Sequence, residues 1–167
     1  ILPQRRAIYD ELTDAFILFK PKDVVSGDFY WFYNSMENGG TGKKFIAAND
    51  CTGHGVPGAF VSMIGYMLLN QAVIEKGIQT PGEILTALDR GMKTVFTRED
   101  KKLYAQDGMD MALCTFDKDF KTLEFAGAQN PLYLIRNNEL TIYTGDKRPI
   151  GGSTEPDFQF FTHTIEL

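Results

Sequence analysis

The chain has 167 residues, 43% of them hydrophobic and 23% charged, which is the composition of a folded domain with one full core. A formal net charge of −5 with no block of Lys or Arg speaks against nucleic acid or an anionic membrane surface as a partner. No apolar run of membrane-spanning length stands out, the start Ile1-Leu2-Pro3-Gln4-Arg5-Arg6 is not a secretory signal, and two cysteines suit a reducing cytoplasm.

In chain order, residues 1–13 read as a short polar lead, the end of a linker helix, and 14–167 as one domain. Asp14–Lys20 and Gly27–Asn34, rich in Phe, Tyr and Ile, predict strands; Asn34–Lys44 is a Gly/Asn-rich reversal and Phe45–Asp50 a third strand. Pro57–Lys76 predicts a helix apolar nearly all round, and therefore buried. Its main stripe is Phe60, Met63, Ile64, Met67 and Leu68; Gly58, Ser62 and Gly65 form a second stripe of small residues for a close contact. Thr80-Pro81-Gly82-Glu83 reads as a capping box opening a second helix, Pro81–Arg98, whose core stripe is Ile84, Leu85, Leu88, Met92, Val95 and Phe96.

Strands then return: Met109–Asp117, Thr122–Ala126, Leu132–Arg136, Leu140–Tyr143 and Phe158–Glu166, separated by turns at Asp117-Lys118-Asp119, Asn130-Pro131 and Asn137-Asn138. Strands, two helices, then a meander of strands is an α+β order, with antiparallel sheets under a helical layer.

The chemistry concentrates between Ser26 and Gly58. If Gly27–Asn34 and Phe45–Asp50 form a hairpin turning near Gly39-Gly40, simple register puts Asp28 directly opposite Asp50. Facing carboxylates repel unless they share a proton or hold a cation, and two hard oxygen donors suit Mg²⁺ or Mn²⁺ better than zinc. The plain alternative is two solvated carboxylates at strand ends. Next comes Cys51-Thr52-Gly53-His54-Gly55-Val56-Pro57-Gly58, a Gly-rich loop opening onto a helix, where the backbone at Gly53 and Gly55 could receive a phosphate. Lys20 and Lys22 precede Asp28 and could reach the same anion. A Cys51-x-x-His54 zinc site lacks further soft ligands, so His54 reads as a hydrogen-bonded loop residue, and His163 as a surface strand residue. Asp107-Gly108-Met109-Asp110 reads first as a turn and second as a weaker metal position, while Asp117 and Asp119 read as a hairpin turn.

Val24-Val25-Ser26-Gly27-Asp28-Phe29-Tyr30-Trp31 and Asn49-Asp50-Cys51-Thr52-Gly53-His54-Gly55-Val56-Pro57-Gly58-Ala59 resemble the stage II sporulation protein E group of metal-dependent, PP2C-like serine/threonine phosphatases. Asp107–Cys114, Phe125–Leu132 and Pro149-Ile150-Gly151 resemble its later segments, in order. The resemblance implies an α-β-β-α sandwich with a two-metal Mn²⁺ or Mg²⁺ site that activates a water against a phosphoserine or phosphothreonine. It further implies that Asp28 bridges the metals, that Asp50 holds the first, that Cys51 gives its backbone carbonyl, and that Asp107 or Asp110 lies near an occasional third metal. The family's two other metal aspartates are expected after Leu167, so this chain is expected to carry only the first half of the site. The implied substrate is a phosphorylated regulatory protein such as an anti-sigma factor antagonist, in a cytoplasmic output domain driven by an upstream sensor. The alternative is a non-catalytic PP2C-like module that binds a partner.

Overall fold

The computed structural model describes residues 2–21, 26–53, 55–96, 108–152 and 158–167. Five antiparallel strands form the main sheet in the order β1 (Phe29–Asn34), β2 (Lys44–Cys51), β3 (Met109–Phe116), β4 (Thr122–Ala128) and β7 (His163–Glu166). A separate hairpin pairs β5 (Leu132–Arg136) with β6 (Glu139–Tyr143). Its turn is Asn137-Asn138, both at positive φ (52° and 63°), the conformation a two-residue hairpin needs and asparagine tolerates.

Each strand of the sheet alternates between two faces. Odd-numbered residues of β1 to β3, among them Phe29, Trp31, Phe45, Met109, Met111 and Leu113, enter one core with the helices. Even-numbered residues, including Ile46, Ala48, Ala112 and Cys114, line a groove of about 550 Å³ on the other face. The segment from Phe16 to Lys20 lies along that groove. It alternates between half-buried and exposed positions as a strand would, yet it belongs to neither sheet, which corrects the strand predicted over Asp14–Lys20. Alternation reports burial on one side; a strand also needs a ladder partner, and none is present among the described residues. Likewise the last predicted strand shortens to His163–Glu166.

The lead is fastened to the sheet. Ile8 in the short helix α1 (Arg5–Tyr9) is fully buried, and Glu11 accepts a hydrogen bond from Asn34 (2.9 Å) and pairs with Lys44 (3.5 Å).

Helix α2 (Gly55–Asn70) and helix α3 (Pro81–Phe96) pack on each other and on the sheet. The small stripe of α2 makes the close contact predicted for it, while of the main stripe only Ile64 and Leu68 pack against the core. Gly58, Val61, Ser62, Gly65 and Leu69 face inward, whereas Phe60, Met63 and Met67 are exposed by 62%, 46% and 66%. The small residues let the helix sink: a Cβ on Gly65 would lie 2.8 Å from Met109 Sδ and 3.4 Å from the Phe29 ring. After Asn70, which accepts a hydrogen bond from Trp31 Nε1 (3.0 Å), the helix widens into a π turn over Gln71–Glu75. The 21 residues Gly55–Glu75, with mean hydropathy 1.3, are long and apolar enough to cross a membrane by length and composition, contrary to the expectation above. Here one face of that helix is spent on the sheet.

Helix α3 follows its predicted stripe, with Ile84, Leu85, Leu88 and Met92 fully buried, although Val95 is 47% exposed. Its first turn is capped from afar, since Gly82 N–H donates to Thr162 Oγ1 (2.9 Å).

Candidate functional site

The β1–β2 register puts Phe29 opposite Asn49, so Asp28, one step beyond, meets Asp50 as the hairpin argument requires. The next ladder puts Asp50 opposite Asp110. Three carboxylates thus form a row across the ends of β1, β2 and β3, all on the groove face. Asp28 and Asp50 line the groove itself, together with Lys20 and Tyr30.

The row is electrostatically strained. Burial, then the Asp50 charge and a hydrogen bond with Asp50, hold the Asp28 carboxyl above its usual range. Burial and the Asp50 charge do the same to Asp110. Asp110 lies in β3, within the strand predicted over Met109–Asp117, and its place in the acidic row comes from the β2–β3 register, which pairs it with Asp50. Among the described residues no three His, Cys, Asp or Glu side chains converge on one metal position. The donor set is therefore a hydrogen-bonded pair of hard oxygen ligands, Asp28 and Asp50, with Asp110 alongside. It fits a single Mg²⁺ or Mn²⁺ that keeps most of its waters.

The Cys51 side chain points away from the row, into the helix-side core. Burial, then the three aspartate charges, push its thiol up to about 12. The Cys51 backbone carbonyl is differently placed. It lies 3.1 Å from where a Cβ on Gly27 would stand, beside the residue that precedes Asp28. Gly27, Gly53 and Gly58 meet backbone to backbone: the Gly53 carbonyl would be 3.0 Å from a Cβ on Gly27 and 2.6 Å from one on Gly58. This contact folds the Gly-rich loop onto the Asp28 strand, and any side chain at Gly27 or Gly58 would separate them. Gly55, with φ +65°, opens α2. Lys22, His54 and Asp107 lie outside the described residues.

Asp117 is the hairpin-turn residue expected. Its Oδ1 accepts from Lys121 N (2.7 Å) and Thr122 N (2.8 Å), and the Thr122 bond leads in holding its carboxyl below the usual range. His163 is not a plain surface residue. It is half-buried, with Phe125, Tyr143 and Phe161 ring centroids at 5.9, 5.4 and 4.9 Å. Cys114, on the groove face, has its thiol pushed up to about 12 by burial.

Residues 40–167 match the family model of stage II sporulation protein E. The chain belongs to that family. Among solved structures, the PP2C domain of SiaA from Pseudomonas aeruginosa is 30% identical with a TM-score of 0.74; the match covers 98% of this chain and 63% of that one. The PP2C phosphatase domain of SpoIIE from Bacillus subtilis, with a fragment of its regulatory domain, is 22% identical (TM-score 0.61) over 89% of this chain and 40% of that one. RsbX in complex with magnesium is 12% identical (TM-score 0.58) over 89% and 64% respectively. The chain thus spans less than two thirds of each of these structures. No curated protein matches it. The α+β, PP2C-like fold follows from these likenesses. The family model starts after Asp28, and the pairing of that residue with Asp50 rests on the β1–β2 register.

Proposed function

We propose that this chain carries Asp28 and Asp50 as metal-holding carboxylates in the active site of a PP2C-like protein serine/threonine phosphatase. The observation that carries this reading is the pair itself. Two carboxylates are held within hydrogen-bonding reach at one sheet edge, with the Asp28 carboxyl kept above its usual range by burial and by Asp50. Maintaining like charges side by side costs stability, and a divalent cation removes that cost. When bound, Mg²⁺ or Mn²⁺ supplies Lewis-acid charge and an activated water for phosphate-monoester hydrolysis.

The chain's own part is to hold and aim. Asp28 and Asp50 supply the anionic oxygens, with Asp110 in reach of an additional cation. The Cys51 carbonyl, held against Gly27, offers a neutral donor next to Asp28. Lys20, on the groove wall with both aspartates, offers a cation for the phosphoryl group, and Gly53 and Gly55 offer backbone at the start of α2. The substrate of this reading is a phosphoserine or phosphothreonine of a regulatory protein such as an anti-sigma factor antagonist. The setting is cytoplasmic, downstream of a sensor domain, which suits two free thiols. A second reading, a PP2C-like module that binds a partner without turnover, is favoured by one observation: among the described residues no three His, Cys, Asp or Glu side chains converge on one metal position.

Hydrolysis of a phosphoserine peptide in Mn²⁺, with and without Asp50→Asn, tests the proposal. Turnover by the parent chain that is lost in the variant supports the phosphatase. Mn²⁺ binding without turnover in either protein supports the binding module. Equal turnover in both removes the metal assignment.

A further inference from the structure

Asp89 lies in the middle of α3 and is 1% exposed, a place where an apolar side chain would fill the same space at lower cost. Its two oxygens are divided. Oδ2 accepts from Lys93 Nζ (2.7 Å) one turn along the helix, and Oδ1 accepts the backbone N–H of Gly151 (2.8 Å), 62 residues away in the chain. The ion pair alone would need no distant loop. The second bond fixes the strap 148–152.

The strap in turn fixes the acidic row. Ile150, fully buried, exchanges two backbone bonds with Met109: its N–H donates to the Met109 carbonyl (2.9 Å) and its carbonyl accepts from Met109 N–H (3.0 Å). Gly108 lies so close under the strap that a Cβ on it would stand 2.9 Å from the Ile150 carbonyl and 3.2 Å from Gly152 N. On its other side, Gly108 is tied to Thr52. Its carbonyl accepts from both Thr52 N–H and Thr52 Oγ1–H (each 2.9 Å), while Gly108 N lies 3.1 Å from the same Oγ1. Residues 108–109 and Thr52 are the backbone immediately beside Asp110 and Asp50.

We propose that Asp89 is a positioning residue for the acidic edge: it anchors the strap, and the strap clamps the strand ends that carry Asp110 and Asp50. Mutually repelling carboxylates spread apart unless their backbones are held, so the clamp sets the spacing at which a cation is received. This inference rests on the metal reading of that edge, but the clamp itself is measurable without a metal.

The experiment compares four versions of the 167-residue chain: parent, Asp89→Ala, Asp89→Asn and Lys93→Met. Two readouts are taken, amide hydrogen exchange and Mn²⁺ affinity. Asp89→Ala should speed exchange at Gly151, Met109 and Thr52 by about tenfold more than at amides of the β3–β4 ladder. It should weaken Mn²⁺ binding by about tenfold, as loss of a group supporting metal ligands does. Asp89→Asn keeps an oxygen for Gly151 and should stay within about twofold of the parent in both readouts. Lys93→Met should lower the melting temperature without moving either. If Asp89→Ala does not fold, Asp89→Ser replaces it, because the serine hydroxyl can bond back to its own helix. A purely structural role predicts instead that exchange rises uniformly and that Mn²⁺ affinity tracks melting temperature across all variants; that result overturns the proposal. If the parent and Asp50→Asn respond identically to Mn²⁺, the metal reading fails, and the exchange pattern alone decides the clamp.

Discussion

Asp50 faces Asp110 across the β2–β3 ladder, two carboxylates on one rung at the edge of the sheet. Like charges directly opposite destabilise an antiparallel pair, and here a third carboxylate, Asp28, bonds to Asp50 from the other side. The sheet tolerates the row because its ends are pinned by Thr52, Gly108 and the 148–152 strap rather than by the carboxylates themselves.

The pH dependence of the metal-free chain follows from the sign of these shifts. Asp28 and Asp110 have folded-state pKa values above the ordinary 3.8, so the folded chain binds their protons more tightly than the unfolded one. Their contribution to stability is best below the unfolded pKa and declines as pH rises through the raised folded values. Asp110→Asn should therefore raise the melting temperature of the metal-free protein at pH 7 and flatten its fall between about pH 4 and 7. High salt should shrink the difference between the two proteins. Thermal melts across pH in the presence of a chelator check this; a lower melting temperature for the variant at pH 7 would contradict it.

Metal should reverse that penalty. Mn²⁺ at about 100 times its Kd should stabilise the parent chain by about 2.7 kcal/mol, seen as a rise in melting temperature. Asp28→Asn should lose most of the rise while remaining folded, because the side chain is replaced by one of the same shape at the edge of the sheet. Calorimetric titration with Mn²⁺ checks the same pair; saturable binding of equal strength in both would remove Asp28 from the site.

A close contact rather than a charge decides the third prediction. A Cβ on Gly65 would meet Met109 Sδ at 2.8 Å, and Met109 precedes Asp110. Gly65→Leu should overpack the α2–sheet contact, costing about 1–3 kcal/mol in chemical denaturation. It should also weaken Mn²⁺ binding, since the displaced methionine is part of the clamp. An unchanged denaturation midpoint would place Gly65 elsewhere.

The hairpin register was readable because a turn near Gly39-Gly40 sets which residues face each other, and a one-residue slip would carry Phe29, Trp31, Phe45 and Ala47 off the core face. The Asn137-Asn138 turn and the buried stripe of α3 were equally readable, since local chemistry and burial agree there. The strand through Asp110 was readable too, but its place opposite Asp50 was not, because that depends on the register of two strands distant in sequence. Asp89 was invisible: its partner Gly151 is distant in sequence, and nothing local marks a helix aspartate as buried. The Phe16–Leu18 segment carried the pattern of a strand but not the partner that makes one.

Helix α2 shows how hydrophobicity alone misorients an element, and it gives the last prediction. Counting apolar bulk points Phe60, Met63 and Met67 inward, but the sheet beneath is already crowded by Phe29, Met109 and Met111, so close approach demands the small stripe. Gly58, Ser62 and Gly65 therefore face inward, and Phe60, Met63 and Met67 are left outside. Burial energies differ accordingly. Met67→Lys and Phe60→Ser should change the stability of this chain by about 0.5 kcal/mol or less, as exposed sites do. Leu69→Ala, at a fully buried position on the same helix, should cost about 2–5 kcal/mol. Urea denaturation of the three variants separates the two orientations. A large loss in Met67→Lys with little in Leu69→Ala would restore the bulk-inward helix, and the Gly65–Met109 contact would fall with it.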